Sequence, residues 1–163
     1  MHRNWRKTDL LDKMAAQAAK RSLKDLTIGP VLSWSNEKIK AHLDAILELD
    51  GAKILFGGKP LTGHTIPAIY GSWEPTAVYV PIKHFRGKKQ RALLLTELFG
   101  PFQIICEYTD KEESKVLDIL ESIPHHLTAA VVSNDQLFTD RILGSTVNGT
   151  TYHGHRGRTT GAP

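Results

Sequence analysis

The chain has 163 residues, 40% of them hydrophobic and 23% charged, which supplies a core for one domain and excludes disorder over most of its length. Its net charge of +4 comes from scattered Lys and Arg, so no nucleic-acid-binding stripe stands out, and no apolar run is long enough to span a bilayer. The single cysteine, Cys106, excludes an internal disulfide and fits a reducing compartment. At the N-terminus Asp9 and Asp12 interrupt Leu10, Leu11 and Met14, which suits neither a secretory signal nor a transit peptide and reads as the inside of a folded domain. Thr8 to Arg21 is predicted helical, with Thr8 as N-cap and Leu10, Leu11, Met14, Ala15 and Ala18 on one apolar face.

Thr27-Ile28-Gly29-Pro30 marks a loop. A second helix is expected over Asn36 to Leu49, capped by Ser35, with Ile39, Leu43, Ile46 and Leu47 inward and Asp50-Gly51 at its end. Ala52 to Phe56 reads as a strand stopped by Gly57-Gly58. Residues 57–75 read as an irregular excursion, and Thr76 to Val80 as a short β-branched strand. Residues 83–90 are basic and expected to be exposed.

The second half alternates strand and helix. Phe102 to Tyr108 reads as a strand buried on both faces. A helix follows over Glu112 to Ile123, with Val116, Leu117 and Leu120 inward, then a strand at Thr128 to Val132. Asn134 is the expected cap of a helix over Asp135 to Leu143, ended by Gly144, and Thr146 to Thr150 is the last expected strand. Short connections between these elements imply parallel pairing with right-handed crossovers. The expected class is α/β, a mostly parallel sheet with flanking helices and no domain boundary inside the chain. The tail from His153 to Pro163 has no apolar period.

Glu97-Leu98-Phe99-Gly100-Pro101 carries the most chemistry. A carboxylate beside a tight Gly-Pro turn offers two acceptor oxygens to two vicinal hydroxyls, and an adjacent aromatic packs on a flat ring. The same five residues also fit a plain helix end, a Phe anchor and a turn into a strand. His125-His126 and His153-x-His155 lack a Cys or carboxylate at ligand spacing, so no metal site is expected; His125-His126 suits a helix-end cap. Arg156-Gly157-Arg158 reads as a solvated loop that could also hold phosphates. Trp5, Trp34 and Trp73 are too far apart in sequence to form a stacking platform. Cys106, in a buried strand, is expected to be an inert structural thiol.

The pentapeptide resembles the Glu-x-Phe-Gly-Pro signature of the aldehyde dehydrogenase superfamily. Asp25 to Val31, Gly51 to Lys59, Glu74 to Val78 and Leu127 to Val132 resemble further stretches of that family in the same order, spanning essentially the whole chain. Thr128 to Asp135 and Ser145 to Pro163 are most similar to the pyrroline-5-carboxylate (glutamate-semialdehyde) dehydrogenases.

The resemblance implies an oxidoreductase of proline catabolism that oxidises an aldehyde with NAD. A cysteine thiolate attacks the carbonyl, hydride passes to the nicotinamide, and water hydrolyses the thioester. Glu97 would bind the nicotinamide ribose and Phe99 would pack near the nicotinamide, with Gly100 and Pro101 shaping the turn. Thr160, Gly161 and Ala162 would begin the loop that anchors the distal carboxylate of the substrate. Many members have a serine where Ala162 stands. The chain would then be part of the catalytic domain. The family's nucleophilic cysteine, its general-base glutamate and most of its dinucleotide-binding domain lie upstream of the resembling stretch, and a C-terminal interface segment lies downstream. The 163 residues alone are therefore expected to be inactive and poorly soluble. The complete enzyme is expected to be a mitochondrial homo-oligomer that binds neither nucleic acid nor membrane. The alternatives are a non-catalytic assembly module pairing with a full-length relative, and a small basic nucleic-acid-binding α/β domain.

Overall fold

Thr76, Ala77 and Val78 are shut off from solvent almost completely, which makes β2 (Thr76–Tyr79) the central strand of its sheet. The computed structural model describes residues 1–154 and divides into two compact units, Met1–Thr109 and Asp110–Pro163. In the first unit β2 pairs antiparallel with β1 (Lys53–Phe56), with a register shift between Ile54 and Phe56, and parallel with β3 (Phe102–Ile105). Thr76 lies opposite Phe102, so the start of β2 and the start of β3 are adjacent.

Helix α1 (Leu10–Ala18) is shorter than expected at both ends. Asp9 holds the cap position, yet the hydroxyl oxygen of Thr8 accepts the Leu10 amide at 3.3 Å, so Thr8 does serve the helix start. Its predicted apolar face is the less exposed one, although no residue of α1 is buried. Helix α2 (Asn36–Leu47) starts where Ser35 predicts it: the Ser35 hydroxyl oxygen accepts the Lys38 amide. Ile39, Leu43 and Ile46 are buried, together with His42, which the apolar pattern does not include.

Residues 57–75 are irregular, as expected, and are pinned by polar contacts. Asn36 accepts the Ser72 amide at 2.8 Å and donates to the Ser72 hydroxyl at 3.3 Å. Short bridges join Val31 to Gly71 and Pro60 to Trp73. Such bonds satisfy backbone groups that would otherwise be stranded in a segment without its own ladder.

Residues 83–90 are mostly exposed, as expected, including Lys83, Arg86, Lys88 and Lys89; a 3-10 turn (Ile82–Phe85) buries Phe85, and α3 (Lys88–Leu94) begins inside the stretch. One expectation in this unit needs correction. The strand at Phe102 ends at Ile105 and is half-buried, with Gln103 exposed, because β2 alone pairs with it among the described strands.

The second unit has α4 (Glu113–Glu121), β4 (Thr128–Val131), α5 (Gln136–Ser145) and β5 (Thr150–His153). β4 and β5 are parallel, from Thr128 opposite Thr150 to Val131 opposite His153, with α5 as the crossover between them. On α4 Ile119 is the buried residue, while Val116, Leu117 and Leu120 are half-buried. Asp135, not Asn134, caps α5: its carboxylate accepts the Phe138 amide at 3.0 Å. Gly144 lies inside the last turn of α5 rather than ending it, and β5 starts at Thr150 rather than Thr146. The class is α/β, as expected, and β2–β3 and β4–β5 are the parallel pairings. No helix among the described residues is long and apolar enough to cross a membrane.

Candidate functional site

The segment between α3 and β3 is held by its apolar residues and presents its others to solvent. Leu94, on the last turn of α3, and Leu98 are buried. Between and beside them Glu97 is exposed and Phe99 is 75% exposed. Burying Leu98 while turning the chain sharply leaves its neighbours pointing outward, so both predicted ligand-facing residues stand on the same short turn.

That turn is fastened from several sides. The Gly100 amide donates to the Leu98 carbonyl at 2.6 Å, and the Phe102 amide donates to the Gly100 carbonyl at 2.7 Å. The Thr76 amide then donates to the Pro101 carbonyl at 2.8 Å, locking the turn to the central strand. The Thr76 hydroxyl meanwhile accepts the Gly58 amide and donates to the Glu74 carbonyl, both at 2.8 Å. Thr76 therefore joins three loop segments at one end of the sheet. Its hydroxyl and its place in β2 were the only sequence signals for that role.

A cleft of about 480 Å³ opens at this turn, lined by Glu97 and Phe99 together with Thr96, Leu98, Gly100 and Phe102 among others. A second recess of about 560 Å³ lies on the other side of the turn, between it and α1, with Met14, Phe56 and Pro101 in its wall. The two share Gly100, Phe102 and Gln103. Among the described residues nothing pairs with the Glu97 carboxylate. An unpaired carboxylate beside an open aromatic face fits a diol next to a flat ring, as in a ribose carrying a base.

No protein-family model matches the chain. Two curated plant relatives align with all of it. A probable aldehyde dehydrogenase of Linum usitatissimum is 53% identical over 163 residues. The mitochondrial delta-1-pyrroline-5-carboxylate dehydrogenase 12A1 of Arabidopsis thaliana is 52% identical over 164 residues. The chain spans 30% of the length of each.

Over its whole length the chain is similar to part of two aldehyde dehydrogenases.

A solved structure of proline utilization A from Bradyrhizobium japonicum shares the fold of this chain. Its TM-score is 0.70 at 18% identity, covering 93% of this chain and 14% of that one.

Cys106 does not line the Glu97–Phe99 cleft, and several other predicted residues lie outside the described residues. Thr160, Gly161 and Ala162 lie outside them, as do His155, Arg156 and Arg158. Cys106 is a free, half-buried thiol just past β3, and burial pushes its pKa up. His125-His126 does not cap α4. The helix ends at Glu121 with Ser122 as its cap, and His125 takes a left-handed φ of 61° further on. Among the described residues no group of three His, Cys, Asp or Glu is placed to hold a metal ion.

Proposed function

We propose that the chain is the part of an NAD-dependent aldehyde dehydrogenase catalytic domain that clamps the nicotinamide ribose. The substrate is glutamate semialdehyde, in equilibrium with pyrroline-5-carboxylate, and the product is glutamate, a step of proline catabolism. The observation that carries the reading is the unpaired Glu97 carboxylate and the open Phe99 ring on one fastened turn, in a chain 52% identical to a pyrroline-5-carboxylate dehydrogenase.

In this reading Glu97 accepts hydrogen bonds from the two ribose hydroxyls, and the Phe99 ring lies near the nicotinamide. Thr160, Gly161 and Ala162, outside the described residues, take part in receiving the substrate's distal carboxylate. Bound NAD would take up the hydride that leaves the aldehyde carbon. The nucleophile and the general base are not among these residues, so the 163 residues by themselves oxidise nothing. The complete enzyme is a mitochondrial homo-oligomer; the mitochondrial Arabidopsis relative supports the compartment.

A chimera tests the reading. The 163 residues replace the matching stretch of the Arabidopsis relative, and NADH formation from glutamate semialdehyde is followed. The expected result is an active chimera, with no NADH from the isolated chain. Glu97→Gln in the chimera should raise the KM for NAD about tenfold or more, the scale of a lost charge-assisted hydrogen bond. An active chimera whose NAD kinetics ignore Glu97→Gln would refute the ribose assignment. NADH formed by the isolated chain would refute the assignment of the nucleophile elsewhere.

A further inference from the structure

Gly100 has a neighbour that leaves no room for a side chain. A β-carbon placed on Gly100 would stand 2.6 Å from Cγ2 and 3.3 Å from Cγ1 of Val31, and 3.0 Å from Cδ2 of Leu98. Real β-carbons do not approach another carbon so closely, and Val31 has little freedom to retreat. It is 1% exposed, and its β-branched side chain is stiff at χ1. Its backbone is clamped as well: the Val31 amide donates to the Gly71 carbonyl at 2.7 Å, and the Gly71 amide returns a bond to the Val31 carbonyl at 2.8 Å.

Gly71 has no room for a side chain either. A β-carbon there would meet Cδ1 of Ile39 and the Trp34 carbonyl oxygen, each at 2.6 Å, and Cβ of Val31 at 3.0 Å. Ile39 is wholly buried on α2. Ile39, Gly71 and Val31 are therefore closely packed together, and Val31 in turn abuts Gly100 in the turn that carries Glu97 and Phe99. Close-packed interiors transmit a displacement of one member to the next.

We infer that Val31 is the positioning residue of the Glu97–Phe99 turn, a rigid wedge against which Gly100 is seated and which sets where the carboxylate and the ring stand. Its importance for ribose binding rests on the proposed function above; its mechanical role does not. A ligand clamp works only when its groups are held within about 0.5 Å of the productive geometry. The wedge meets that need with an apolar residue that never touches the ligand.

The test is an exchange of volume on the full 163-residue chain. Backbone amide NMR spectra are compared for the wild type, Gly100→Ala, Val31→Ala and the double variant. Each is titrated with nicotinamide mononucleotide. Gly100→Ala should displace the amide resonances of Glu97, Phe99 and Phe102 and weaken mononucleotide binding about tenfold or more. Val31→Ala should speed amide exchange at Gly100 and Phe102. The double variant places the new methyl group in the space that Val31 vacates. It should restore both the resonances and the affinity to within about threefold of wild type.

A double variant as displaced as Gly100→Ala would overturn the wedge, as would a Gly100→Ala turn that is unmoved. If Gly100→Ala does not fold, recovery of a folded spectrum in the double variant supports the wedge. An unfolded double variant beside a folded Val31→Ala would overturn it. A wild type whose Glu97 and Phe99 amides ignore the mononucleotide would refute the ribose reading, while the ligand-free spectra still decide the wedge.

Discussion

Arg141 grips Glu113 with two parallel hydrogen bonds, from Nε at 2.9 Å and from Nη2 at 3.0 Å, each to a different carboxylate oxygen. The pair ties α5 to α4. The bonds from Arg141 hold the Glu113 carboxyl below its usual range. A carboxylate with a depressed folded pKa stabilises the fold fully above its unfolded value, about 4.3, and loses that contribution as pH falls through the folded value. Glu113→Gln should therefore flatten the acid limb of stability below about pH 4.3. Urea melts from neutral pH downward, at low and high salt, check this. Identical pH profiles for variant and wild type would contradict it, and salt should shrink the difference because the pair is partly open to solvent.

His42 is a second pH-sensitive position, and it acts in the same direction, because folding again favours the deprotonated form. The ring sits edge-on between Trp34, at 5.4 Å, and Phe102, at 5.8 Å, and its Nε2 is buried without a hydrogen-bond partner. Burial pushes its pKa down. The unfolded chain then takes up the proton first, so stability falls as pH drops below about 6.5 and stops falling below the folded value. His42→Phe keeps the ring contacts and removes the titration. Its stability should be less sensitive to pH between about 5 and 7 than that of wild type. A wild type whose melting temperature is flat across that window would count against the assignment.

Cys106 should behave as a masked thiol. Burial raises its pKa, which lowers the thiolate fraction at neutral pH. A thiol reagent at neutral pH should modify the folded chain at least about tenfold more slowly than the urea-unfolded chain. Equal rates would show that the site is open in the native state.

The sequence marked elements best where a local signal and burial agree. Ser35 lies directly before the apolar face of Ile39, Leu43 and Ile46, and both the cap and the face are realised. Asn134 and Asp135 offer two acceptor side chains in succession, and local pattern alone does not choose between them; α5 uses the second. Helix α3 was hidden because Lys88, Lys89, Gln90 and Arg91 look like a solvated charge run, and Gly87 gives its start no side-chain cap. His42 was missed because a polar residue in an apolar face reads as an interruption, although aromatic neighbours can bury its ring. At the site, residue type singled out Glu97 and Phe99, and both stand exposed on one turn. Their support was not legible, since Val31 and Gly71 meet Gly100 only through contacts distant in sequence.

Phe99 stands three-quarters in water on a turn whose backbone is bonded on both sides. Exposed loops ordinarily lose backbone freedom when a partner arrives, roughly 1–2 kcal/mol for each residue that becomes fixed. Here that loss is incurred during folding, before any ligand is present, because Gly100, Pro101 and Phe102 are already held. A flat ring that settles on Phe99 meets an ordered surface, and the free energy of contact goes into residence rather than into arranging the site.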